Sequence, residues 1–174
     1  MSIRNPSAAR GNASTIDGVA ADAVSLLAND HADVAELFDE YDALVDSEAG
    51  DEEKQALAER ICAMLTAHST IEEEIFYPAA REALDEQDLL DEAEVEHATA
   101  KDLIEQIQSM DPADELYDAK VKVLGEYVSH HVHEEEDEIF PRCQSSEMDL
   151  EGLAGELSAR KEELLEELGM SDGE

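Results

Sequence analysis

The sequence predicts an all-α protein: an up-down-up-down four-helix bundle with an additional C-terminal amphipathic helix. Three observations lead there. Ala, Leu and Glu abound, Trp is absent and aromatic residues make up 4% of the chain, a composition that favours helices over a sheet. Apolar residues recur at steps of three and four along four long segments, the period of one helix face. The links between these segments are short, which makes consecutive helices antiparallel neighbours. With 174 residues, the chain is long enough for one domain with a true core.

Residues 1–18, rich in Ser, Ala, Asn and Gly, lack apolar periodicity and read as a disordered tail. The bundle is expected over 19–142. Its first helix runs from about Val19 to Val45, capped by Asp17 or Asp22, with Val24, Leu27, His31, Val34, Phe38 and Tyr41 as its stripe. A turn over 46–50 follows, with Ser47 or Asp51 as the next cap. The second helix starts near Glu52. Its stripe is Leu57, Ile61, Leu65, His68, Glu72 and Ile75, and Pro78 is expected to kink or end it. The third helix spans about Asp88 to Ser109 on Leu90, Ala93, His97, Ala100, Ile104 and Ile107. Pro112 is expected in the first turn of the fourth, which runs to Phe140. Two faces of that fourth helix are possible: Leu124, Val128, His131 and Glu135, or Val123, Tyr127, His130 and Glu134. Residues 143–174 are expected to form a linker and an amphipathic helix over 150–168, stopped by Gly169, which packs on the bundle or docks on a protein partner or a second copy.

Acidic residues number 47 against 11 basic ones, a formal net charge of −36. Phosphate contacts need Lys and Arg, so this balance opposes nucleic acid and anionic lipid as partners. The acids are spread along the whole chain, a style that resembles salt-accumulating halophiles. Cys62 and Cys143 lie far apart with no C-x-x-C, and no apolar run approaches the ~20 residues of a membrane span. A cytoplasmic protein is the expectation.

The functional signal is a repeated frame. His68, Glu72, Glu73 and Pro78 recur in register as His131, Glu135, Glu136 and Pro141, with an aromatic residue before each proline. A histidine and a carboxylate four residues apart project from one helix face. The ten-residue step from His131 to Pro141 matches that from His68 to Pro78, which selects the His131/Glu135 face of the fourth helix over the His130/Glu134 face. Each of the four main helices thus places one histidine on its apolar stripe: His31, His68, His97 and His131. Four imidazoles with Glu72 and Glu135 would be costly in a core unless a cation were bound. The set is too rich in nitrogen for Mg²⁺ or Ca²⁺ and larger than a structural zinc site needs. It fits two non-haem iron ions sharing carboxylate bridges, with manganese or zinc as alternatives. Glu73, Glu74, Glu134 and Asp137 read as a solvated face. His130 and His133 read as surface or supporting groups, and Glu136 is ambiguous beside Glu135.

On these residues the chain resembles the hemerythrin-like HHE cation-binding family. The matching positions are His31; His68 with Glu72, Glu73 and Pro78; His97; and His131 with Glu135, Glu136 and Pro141, across roughly 20–142. The resemblance implies a four-helix bundle around a di-iron centre bridged by Glu72 and Glu135. It also implies a protein that binds, senses or reacts with dioxygen, peroxide or nitric oxide. The oxygen carriers of the family have a fifth histidine one turn after the third-helix ligand, where this chain has Lys101. Their fourth-helix carboxylate sits five residues after its histidine, which would select Glu136 over Glu135. Loss of the fifth imidazole disfavours reversible oxygen carriage and leaves room for an open coordination position. Two further readings stand beside the leading one: an enzyme acting on peroxide or nitric oxide, and a metal-dependent regulatory or interaction module that uses the last helix.

Overall fold

The computed structural model describes residues 22–170, and every regular element among them is helical. The tail expected over 1–18 lies outside these residues. Helix α1 (Ala23–Asp46) begins on Asp22, whose side chain accepts from the Ser25 N–H at 2.8 Å. Helix α2 (Asp51–Ile71) starts on Gly50 without a side-chain cap, so neither Ser47 nor Asp51 fills that role. Instead the Ser47 hydroxyl donates back to the Leu44 carbonyl.

Pro78 neither ends nor breaks its helix. A five-residue π-helical turn (Glu72–Phe76) follows α2 directly, and α3 (Tyr77–Ala83) continues the chain. In an ordinary helix the proline ring would clash with the carbonyl four residues back. The wide turn relaxes that spacing just ahead of the proline: the Tyr77 N–H reaches the Glu72 carbonyl, five residues back. The second frame repeats the device. Helix α5 (Tyr117–Glu134) runs into a π-helical turn (Glu135–Ile139) and α6 (Phe140–Gln144), with the Phe140 N–H bonded to the Glu135 carbonyl.

Helix α4 (Gln87–Ser109) lies where its periodicity places it. Pro112 does not open α5. The Asp111 and Asp114 carboxylates accept from the Ala113 and Leu116 N–H groups at 2.9 Å each, closing local turns that compete with helix until Tyr117. Helix α7 (Leu150–Glu167) is capped by Asp149. It ends in a Schellman turn at Gly169 (φ 74°), where Met170 N–H reaches Leu165 O and Gly169 N–H reaches Glu166 O.

Helices α1, α2, α4 and α5 form the bundle, α1 packing on α2 and α5, and α4 on α5 and α2. Two apolar clusters fill it. One gathers Leu27, Ile71, Phe76, Leu90 and Phe140; the other gathers Val34, Leu37, Ile61, Leu65, Ile104 and Leu124. On each helix the stripe histidine lies in sequence between its two apolar groups, so a polar layer divides the core. Helix α7 rests in the groove between α1 and α2 and buries Leu157 and Leu164 in the first cluster. Of the two possibilities for this helix, packing on its own bundle is the one adopted. No described helix is long and apolar enough to cross a membrane.

Candidate metal centre

Asp30, His31, His68, Glu72, His97 and Glu135 are the buried charged or polar residues among those described, and all belong to one layer. His131 joins them with its side chain 12% exposed. The imidazoles fall into two pairs. His31 Nε2 faces His68 Nε2 at 3.1 Å, and His97 Nε2 faces His131 Nε2 at 3.1 Å. The two glutamates span the pairs. Glu72 Oε1 lies 3.0 Å from His68 Nε2 and 3.4 Å from His97 Nε2; Glu135 Oε2 lies 3.3 Å from His31 Nε2 and 3.4 Å from His131 Nε2. The four residues of the repeated frame, His68, Glu72, His131 and Glu135, therefore converge with the stripe histidines His31 and His97. His130 is exposed and paired with Glu134, and His133 donates to the Ser129 carbonyl, so neither enters the layer.

Each imidazole meets a carboxylate at its other nitrogen. The Nδ1–H groups of His31, His68, His97 and His131 donate to Glu136 (2.9 Å), Asp30 (3.0 Å), Glu73 (3.1 Å) and Glu96 (2.9 Å). An ionised carboxylate only accepts, so these contacts place the ring proton on Nδ1 and turn the Nε2 lone pair inward. With the imidazoles neutral, as metal binding requires, the layer is all acceptors: four Nε2 atoms and the oxygens of Glu72 and Glu135. Both Glu72 oxygens and Glu135 Oε2 are buried without a hydrogen-bond donor. Lone pairs so close together repel unless a positive charge sits among them. The chemistry of this donor set suits transition-metal cations. His31, His68, Glu72 and Glu135 form one group able to hold an ion, and Glu72, His97 and His131 form another.

The same field attracts protons. Burial lowers the affinity of His68 for a proton, but the Glu72 charge and the Asp30 hydrogen bond outweigh it and hold the pKa well above the ordinary value. Burial likewise opposes protonation of His131, yet the neighbouring Glu135, Glu72 and Glu96 carboxylates push it up to about 9. Burial also raises Glu72, and the His68 charge overcomes this to hold the carboxyl well below the usual range.

Of the four carboxylates in contact with the imidazoles, Asp30 and Glu96 are not among the residues the sequence points to. Glu73 belongs to the expected solvated face and Glu136 sits beside Glu135 in the repeated frame; both reach histidines of the opposite helix pair. Asp30 and Glu96 directly precede His31 and His97 yet serve His68 and His131. Their shared offset, one residue before a stripe histidine, was the available signal. Glu74, on the same expected solvated face, is exposed and pairs with Arg160 of α7 at 2.8 Å.

Lys101 does not face the layer. Its side chain is 48% exposed and its ammonium binds Glu73. The polar group beside the second imidazole pair is the Tyr77 hydroxyl, which donates to Glu135 Oε1 at 3.2 Å and lies 3.2 Å from His97 Nε2. Burial, then the Glu135 and Glu72 charges, keeps this phenol protonated well above its ordinary pKa. The corresponding residue of the other frame is Phe140, stacked on His31 with ring centroids 5.7 Å apart. The two halves are therefore chemically unlike. A cavity of about 40 Å³ adjoins the imidazoles, walled on the apolar side by Val34, Leu65, Ala100 and Val128.

Residues 22–143 match the family model of the hemerythrin HHE cation binding domain. A hemerythrin HHE cation binding domain-containing protein from Mycobacterium kansasii superposes with a TM-score of 0.70 at 24% identity, covering 84% of this chain and 88% of that one. A DNA nickase from Nostoc sp. (strain PCC 7120 / SAG 25.82 / UTEX 2576) is 34% identical over 110 residues, which are 60% of this chain and 30% of that protein.

Proposed function

Because the chain belongs to the hemerythrin HHE cation-binding family, we propose that it is a non-haem di-iron protein that binds, senses or reacts with dioxygen or related reactive oxygen or nitrogen species. His31 and His68 would hold one ion, His97 and His131 the other, with Glu72 and Glu135 between them. The observation that carries this reading is the set of inward lone pairs: four Nε2 atoms and three donor-less carboxylate oxygens. When bound, two iron ions would supply one-electron chemistry toward small oxygen or nitrogen species.

The chain's own residues set the terms of that chemistry. Glu136, Asp30, Glu73 and Glu96 orient the rings and raise their basicity. Val34, Leu65, Ala100 and Val128 keep the adjoining cavity apolar, and its volume of about 40 Å³ is enough for a diatomic or a peroxide. The Tyr77 hydroxyl places a hydrogen-bond donor at the second pair only. DNA cleavage is not part of the reading: the match to the nickase spans 30% of that protein, and a net charge of −36 opposes a phosphate backbone.

Metal analysis and optical spectra of protein purified in molar KCl, anaerobic and then mixed with O₂, H₂O₂ or NO, test the proposal. Two irons per chain and a spectral change with at least one of the three are expected. Glu72→Ala should lose both irons together, because its carboxylate touches both pairs. One tightly held zinc per chain, with no response to any of the three, would overturn the reading.

A further inference from the structure

The two-fold pattern of the centre is broken by a residue from outside residues 22–143. Asp30, 4% exposed, accepts from His68 Nδ1–H on one oxygen and is bound by the Lys161 ammonium on the other. Lys161 belongs to α7. Glu96 is the counterpart of Asp30, accepting from His131, and no lysine or arginine pairs with it among the described residues. Lys161 also occupies an unexpected place on its own helix. It lies four residues after Leu157 and three before Leu164, both buried, so it interrupts the apolar face by which α7 docks. A lysine at such a position forfeits apolar burial unless its charge is used.

We propose that Lys161 is a positioning residue for the metal ion held by His31 and His68, so that α7 completes the centre rather than merely covering the bundle. The inference rests on the two-ion reading above. A carboxylate held at one oxygen can rotate about its last torsion, whereas Asp30 is held at both, which fixes the direction of its bond to His68 and hence of Nε2. The lysine also offsets a buried carboxylate that would otherwise be left with no cation beside it. Lys101 does the corresponding service for Glu73 and His97 at the second pair, but from within the bundle and from a half-exposed position. Each ion therefore has one imidazole whose carboxylate partner is tied to a lysine, and only the first depends on α7.

The test uses the full chain in molar KCl and Co²⁺ as the probe. Lys161→Met keeps the length of the stem and extends the apolar face of α7, so docking should survive; limited proteolysis and circular dichroism of the metal-free protein check this, with Lys161→Gln as a second charge-free variant. Wild type should take up two Co²⁺. In Lys161→Met one step should weaken by about 10-fold, the lower end for loss of an outer partner of a metal-bound histidine, with the other step unchanged. Lys161→Arg should restore it. In the cobalt-loaded protein, Lys161→Met should displace the hyperfine-shifted Nδ1–H resonance of His68 and leave that of His97; Lys101→Met should do the reverse. Wild type with two Co²⁺ and a Lys161→Met variant that titrates identically, or that loses both steps equally, would overturn the proposal alone. Wild type that takes up fewer than two ions would overturn the two-ion reading and this proposal with it.

Discussion

His130 and His131 are adjacent in sequence and differ in everything that matters here. His131 has its side chain 12% exposed, with Nδ1 tied to Glu96 and Nε2 3.1 Å from His97; His130 has its side chain 68% exposed and touches Glu134. One residue is ~100° around a helix, so choosing the wrong neighbour turns an inward lone pair into a solvated one. The choice could be made from the sequence because Pro141 and Pro78 stand at the same distance from their histidines. His131→Ala should therefore lower iron content below two per chain, whereas His130→Ala should retain both; elemental analysis of the two purified variants decides. Tyr77 against Phe140 is the other single-residue difference of consequence, visible in the sequence as unlike aromatics in register. That the phenol enters the layer could not be seen, because it lies five residues beyond Glu72 and an ordinary helix would not put it on that face.

The π-helical turns cause that shift, since Tyr77 directly follows the one over Glu72–Phe76. Each turn lets a proline sit inside a continuous helix, and each widens the inward face so that Glu72, Glu73, Phe76 and Tyr77 all reach the interior or its edge. The 3.6-residue period placed Ile75 on the stripe; the wide turn leaves Ile75 half-buried and buries Phe76 and Tyr77. Such turns are less stable than the α-helix they replace and concentrate at functional sites. Pro78→Ala should restore a backbone donor and remove the clash that forces the turn. The metal-free variant is expected to be more stable by ~1 kcal/mol, the net worth of one hydrogen bond. It should bind metal less well, because relaxation to an α-helical turn would withdraw Tyr77 and Glu73 from their places. Thermal melts of the metal-free protein and a metal titration measure the two effects. A variant that melts lower and binds metal as before would contradict the account.

At the scale of the molecule, 47 acidic residues against 11 basic ones leave most carboxylates without a counter-charge. Several of the few cations sit where they steady an element or the centre: Lys161 on Asp30, Lys101 on Glu73, Arg160 on Glu74, and Lys54 on Asp118, which also accepts from the Tyr41 hydroxyl. The remaining carboxylates repel across a Debye length of ~10 Å at 0.1 M salt and ~3 Å at 1 M. The melting temperature should therefore climb as KCl is raised toward molar concentration, by about 2–4 °C for each ~1 kcal/mol of repulsion that screening removes. A melting temperature that stays flat with KCl would mean that self-repulsion contributes little.

Local pattern in the chain was enough for the helical class, the extents of α1, α4 and α7 to within a few residues, the start of α2, and the six side chains that meet in the core. Each of these follows from local rules: helical periodicity, caps, and a histidine–glutamate–proline frame written twice. Tertiary structure alone decided the rest. Asp30 serves His68 and Glu136 serves His31 because antiparallel packing brings residues 38 and 105 positions apart to within 3.0 Å. Lys101 turns to Glu73 and leaves Tyr77 beside the second pair. Helix α7 closes on its own bundle and brings Lys161 to Asp30, 131 residues away in the chain. Periodicity tells which face of a helix points inward, but not which side chain from another helix stands opposite it; that is set by how the helices are rotated and staggered as their apolar stripes interlock.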